Sequence, residues 1–153
     1  MKSVRDIFHE LVLRGVISKS TLVGCSDMDI ASVEQYFSCK VPLAYREFLM
    51  VAGRSAGKIF CGVDIFYPRL LGLRLEAEEL LDELSLSGLL PTDAKVFSMH
   101  QGYEINYFLP VSDDPPVFQF FEGRSLTAKA WDSFSGFLIA SIESHLLQWP
   151  DLN

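Results

Sequence analysis

Val4, Ile7, Phe8, Leu11 and Val12 recur at i, i+3, i+4, i+7 and i+8, which places them on one stripe of a helix. Arg5, Asp6, His9 and Glu10 fall on its opposite side, and Gly15 is the expected stop. Ser26 and Asp29 form an S-x-x-D capping box ahead of Ile30, Val33 and Phe37, which predicts a second helix to about Phe37. Pro42 suits the first turn of a third helix, where its missing N–H does no harm. Tyr45, Phe48, Leu49 and Ala52 then share a face, with Gly53 as the expected C-terminal stop.

The texture changes after Gly57. Ile59, Phe60, Val63, Ile65, Phe66 and Tyr67 are β-branched or aromatic and end at Pro68, which predicts one or two strands. Between Leu75 and Leu84, Ala77, Leu80, Leu81 and Leu84 make an apolar stripe, while Glu76, Glu78, Glu79, Asp82 and Glu83 cover the other side. Val96 to Met99, Tyr103 to Leu109 and Val117 to Phe121 are three short runs of high β-propensity. Gly102 separates the first pair, and Ser112-Asp113-Asp114-Pro115 the second, so an antiparallel meander is expected. Trp131, Phe134, Phe137, Leu138, Ile142, Leu146 and Trp149 recur at helical spacing up to Pro150 and predict a long closing helix. The expected architecture is one α+β domain over residues 1–153. It has N-terminal helices, a central, mainly antiparallel sheet, and a long C-terminal helix packed on it.

Charge narrows the range of partners. The chain of 153 residues carries a formal charge of -7, which disfavours direct nucleic-acid binding and suits a basic protein partner. Met1 to Arg14 is charged throughout, so no secretory leader is expected, and the apolar runs are too short to span a bilayer. Cys25, Cys39 and Cys61 are an odd count without C-x-x-C spacing, which points to free thiols and a cytoplasmic location.

Catalytic chemistry is hard to find. "GRSAGK" (Gly53 to Lys58) is one residue short of a phosphate-binding loop and has Ile59 where the magnesium-holding hydroxyl belongs, so it reads as a helix-to-strand turn. His9, His100 and His145 show no metal-binding spacing, and neither a metal nor another cofactor is expected. His9 falls on a polar helix face, and His145 sits where a partial positive charge would suit the helix dipole. His100 alone lies near concentrated acids, at a strand end beside Gly102. No G-x-S-x-G elbow occurs, and no cysteine has a visible histidine partner. The aromatic ladder from Tyr103 to Phe121 lacks the interleaved Lys and Arg of a single-strand platform and reads as sheet. Two features remain as partner-binding candidates: the outward Glu76, Glu79 and Glu83, at i, i+3 and i+7, and the Asp113-Asp114 hairpin turn. The bland alternatives are a solvated helix face and ordinary turn chemistry.

The order of these pieces resembles the SUKH superfamily of bacterial immunity proteins (SMI/KNR-type domains). "DIASVEQYFSCKVPLAYREFLMVAG" is similar to its opening, with Ile30, Glu34, Pro42, Tyr45, Phe48 and Leu49 at the characteristic places. "VFSMHQGYEINYF" resembles the central hairpin, "DDPPVFQFFEG" the D-P-x-V-[YF] strand, and "WDSFSGFL" the closing helix through Trp131, Ser133, Phe134, Phe137 and Leu138. The likeness runs from about Asp27 to Glu143. It departs from the family where a glycine pair is common after the third helix, since here Arg-Ser-Ala separates Gly53 from Gly57.

The resemblance implies a non-enzymatic protein that binds and neutralises a cognate polymorphic or contact-dependent toxin, such as a nuclease, which would be basic. A regulatory adaptor of the same fold, unlinked to any toxin, is the alternative, because fold alone does not fix the role. A small enzyme would come back into consideration if His100 and carboxylates converged in a pocket.

Overall fold

Each of the first two helices is set by its own cap. In the computed structural model, which describes residues 2–148, the Ser3 side chain accepts from the Asp6 N–H and Asp6 answers at the Ser3 N–H, opening α1 (Val4–Leu13). Ser26 and Asp29 do the same for α2 (Asp27–Phe37), which ends at Ser38 in the left-handed conformation. The third helix, α3 (Leu43–Ala52), starts one residue after Pro42, which stands at the cap rather than in the first turn. Gly53 closes α3 with φ at -62°, so left-handed freedom is not what it supplies. A Cβ there would lie 2.5 Å from the Leu49 carbonyl oxygen and 2.4 Å from Cys25 Sγ, so the position uses glycine for close packing.

A short 3₁₀ turn (Lys19–Thr21) leads into β1 (Leu22–Val23), which pairs antiparallel with β2 (Ser55–Ala56). This small sheet gives "GRSAGK" its role as a turn from helix to strand. A second sheet has five antiparallel strands in chain order: β3 (Val63–Asp64), β4 (Lys95–His100), β5 (Glu104–Phe108), β6 (Val117–Phe121) and β7 (Ala128–Trp131). The three central strands are the expected meander. After β3, a 3₁₀ segment (Arg69–Gly72) opens α4 (Leu73–Glu83), which runs against β4. The chain closes on α5 (Phe134–Gln148).

Two further expectations need adjusting. Of the apolar run from Ile59 to Tyr67 only Val63–Asp64 is strand, because Phe60 and Gly62 take positive φ and turn the chain. Ile59, Phe60 and Ile65 are nevertheless buried, so the run serves the core without extending. Trp131 belongs to β7 and not to the closing helix; Ser133 breaks between them, its Oγ accepting from the Gly136 N–H at 3.0 Å. Trp149, at the end of that predicted stripe, lies outside the described residues.

The core is aromatic. Phe97 and Phe108 stack at 5.3 Å and meet Tyr45 of α3 and Phe134 of α5, whose ring stands edge-on to Tyr45 at 5.3 Å. Alternation along β5 then puts Asn106 and Glu104 on the same α5-facing side as Phe108. Ile105 and Tyr107 take the opposite side, where Met99 and Phe120, the register neighbours of Ile105, are likewise buried.

Candidate partner-binding surfaces

The acidic helix α4 presents its carboxylates unequally. Glu76 accepts from both terminal nitrogens of Arg69, Nη2 at 2.8 Å, and this hydrogen bonding holds its carboxyl below the usual range. Glu78 accepts from Arg74 Nε at 2.7 Å, while the same guanidinium donates to the Ala94 carbonyl at 3.0 Å and fastens α4 to the start of β4. Asp82 accepts from Ser87 Oγ. Glu79 and Glu83 are exposed and have no hydrogen-bond or ion-pair partner among the described residues. Leu75, 62% exposed, continues their row at i-4 and i-8, so an apolar side chain and two uncompensated carboxylates share one helical face.

The Asp113-Asp114 turn joins two helix starts. Pro42 has no side-chain donor or acceptor with which to cap α3, and the Asp113 carbonyl takes the Ala44 N–H at 2.9 Å instead. The Asp114 carboxylate accepts from the Ser135 backbone N–H at 2.9 Å and from its hydroxyl, at the first turn of α5. An anion at a helix N-terminus is favourable on both counts, hydrogen bonding and dipole. Only Asp113 sends an exposed carboxylate outward, so the turn is architectural first and a candidate contact second.

The remaining feature is a cleft of about 300 Å³ between the sheet and the second half of α5. Its polar lining comes from Ser98 and His100 of β4, Glu104 and Asn106 of β5, Gln119 of β6, and Ser141, Ser144 and His145 of α5. Strand register accounts for the grouping, since His100 stands opposite Glu104, and Ser98 and Gln119 both stand opposite Asn106. His145 is buried against the Phe60 ring, and burial, with a smaller contribution from His100, pushes its imidazole below the ordinary value. It is therefore a neutral core histidine at neutral pH, not the dipole-stabilised cation that its position in the sequence suggested. The cleft does bring His100 and a carboxylate into one place. No hydrogen bond or ion pair joins His100 to Glu104 or His145 among the described residues. The described residues also contain no group of three or more His, Cys, Asp or Glu side chains able to hold a metal ion.

A helix-flanked antiparallel meander, with capped α2 and α3 ahead of it, defines a compact α+β scaffold with exposed acidic elements. The model of the SMI1 / KNR4 family (SUKH-1) matches residues 24–140, and the chain belongs to that family. Its members are known as immunity and protein-binding domains and are generally not enzymes. No curated protein matches the chain significantly. No helix among the described residues is long and apolar enough to cross a membrane.

Proposed function

We propose that residues 1–153 act as one cytoplasmic immunity domain that binds a basic toxin domain and blocks it by occupying its surface. Membership of the SMI1 / KNR4 family, across residues 24–140, is the observation that carries this reading. The exposed row of Leu75, Glu79 and Glu83 supports it, with Asp113 as a second contact and Glu76 and Asp114 supporting the two elements from within. An apolar side chain flanked by uncompensated charge suits a binding surface: the contact buries apolar area, while the charges steer encounter and exclude wrong partners.

Nuclease toxins grip phosphates through basic surfaces, so a carboxylate row can occupy the same ground as the nucleic-acid backbone. No catalytic step is required of the immunity protein. Co-expression with its cognate toxin domain tests the reading: cells survive with this chain present and die without it. Survival that does not depend on the chain would remove the proposal.

A further inference from the structure

The cleft under α5 has a donor–acceptor polarity that can be deduced from one end. Glu104 can only accept hydrogen bonds when ionised, so Asn106 must turn its amide nitrogen to it, and Nδ2 donates to Oε2 at 2.9 Å. Asn106 Oδ1 therefore faces Gln119, whose Nε2 donates at 3.0 Å. The relay leaves Glu104 Oε1 and Gln119 Oε1 without a donor among the described residues. Two more groups are unpartnered there: Ser98 Oγ, on a side chain that is 0% exposed, and His145 Nδ1, on one that is 8% exposed. Buried polar groups without partners are uncommon in folded proteins, and here two of them line the same cleft.

The cleft thus offers two open acceptors, Glu104 Oε1 and Gln119 Oε1, beside the hydroxyls of Ser98, Ser141 and Ser144, which can accept as well as donate. Among the described residues Glu104 is its only acidic lining residue, and no lysine or arginine lines it. Its remaining walls include the rings of Phe60, Phe121, Trp131 and Phe137. A planar cation with donors on every edge and none but donors matches this arrangement. Aromatic faces add cation–π attraction, and Phe121 already accepts the Arg124 guanidinium at 4.7 Å from its centroid. At about 300 Å³ the space is at the lower bound for ligand sites, suited to one side chain or a comparably small molecule.

We propose that this cleft is a guanidinium-binding site, filled either by an arginine side chain of a protein partner or by a free guanidinium compound. The test is a titration of the full chain, followed by NMR, with agmatine, with an acetylated Gly-Arg-Gly amide, and with the citrulline counterpart of that peptide. Site-specific shifts at Ser98, Gln119 and His145 are expected with the guanidinium probes. The neutral citrulline peptide should bind at least about tenfold more weakly, since a charge-assisted hydrogen bond is lost. Glu104→Gln should weaken binding by a similar factor, and Ser98→Ala, a near-isosteric change, should weaken it while keeping the fold. Binding of the peptide assigns the site to a partner's arginine, and binding of agmatine alone assigns it to a free cation. No localised shift with either probe, or equal binding of the citrulline peptide, would overturn the proposal. No toxin enters the titration, so its failure leaves the immunity reading standing.

Discussion

Arg54 clasps Asp29 with two parallel hydrogen bonds, Nε to Oδ2 at 2.8 Å and Nη2 to Oδ1 at 2.9 Å. The same Oδ2 accepts from the Ser26 N–H at 3.0 Å, so one carboxylate closes the α2 capping box and anchors the turn after α3. Arg54 also lies 5.0 Å from the Tyr67 ring centroid. The three residues inserted between Gly53 and Gly57 thus have a structural use: Arg54 ties the turn to α2, and Ser55 pairs with β1.

The clasp makes a pH prediction. Its hydrogen bonds hold the Asp29 carboxyl down at about 2, whereas an unfolded chain titrates it at roughly 3.9. The unfolded state therefore takes up the proton first, so the contribution is whole above about pH 4 and is lost as pH falls toward about 2. Arg54→Ala should lower the melting temperature at neutral pH, and the gap from the parent should close by about pH 2. A gap of constant size across that window would show that the arginine acts through packing alone.

Phe134 is 0% exposed and touches rings from α3, β4 and β5. Phe134→Ala should cost about 3–5 kcal/mol in denaturant unfolding, because a cavity is added to the lost burial. Leu126→Ala, at a side chain 70% exposed, should change stability by less than about 0.5 kcal/mol.

Asp114→Ala removes an N-terminal anchor of α5 and should cost about 0.5–2 kcal/mol, while Asp113→Ala should be nearly neutral because its structural contact is the backbone carbonyl. Equal losses at the two positions would contradict the division of roles in this turn.

The cysteines should differ in reactivity. Cys61 is exposed, whereas burial and the nearby Asp29 push the Cys25 thiol up to about 11. Since the thiolate is the reactive form, alkylation of the folded protein at neutral pH should label Cys61 well before Cys25, as peptide mapping would report.

Much of this fold could be read from the chain where side-chain period and capping chemistry agree. Ser26 and Asp29 announced α2, and the alternation from Tyr103 to Leu109 announced β5. β7 escaped because Ala128, Lys129 and Ala130 are all exposed on an edge strand and carry no alternation to read. The Ile59 to Tyr67 run yields only one two-residue strand, because Ile59, Phe60 and Ile65 are buried outside it and Phe60 and Gly62 take backbone angles that composition does not reveal. For the candidate surfaces, helical spacing placed Glu79 and Glu83 together, but Arg69 lies outside the helix that carries Glu76, so that pairing was invisible. The cleft depends on strand register, which brings Ser98, Asn106 and Gln119 side by side from three strands.

The most direct test of the central claim is the association rate of the cognate toxin domain with the parent chain and with Glu79→Lys/Glu83→Lys, measured at low and high salt. Both side chains are exposed and unpartnered among the described residues, so the variant should fold with little loss of stability. The account predicts fast, salt-sensitive association for the parent, with slower association and lost protection for the variant. A folded double variant that binds as fast as the parent and protects fully would contradict it.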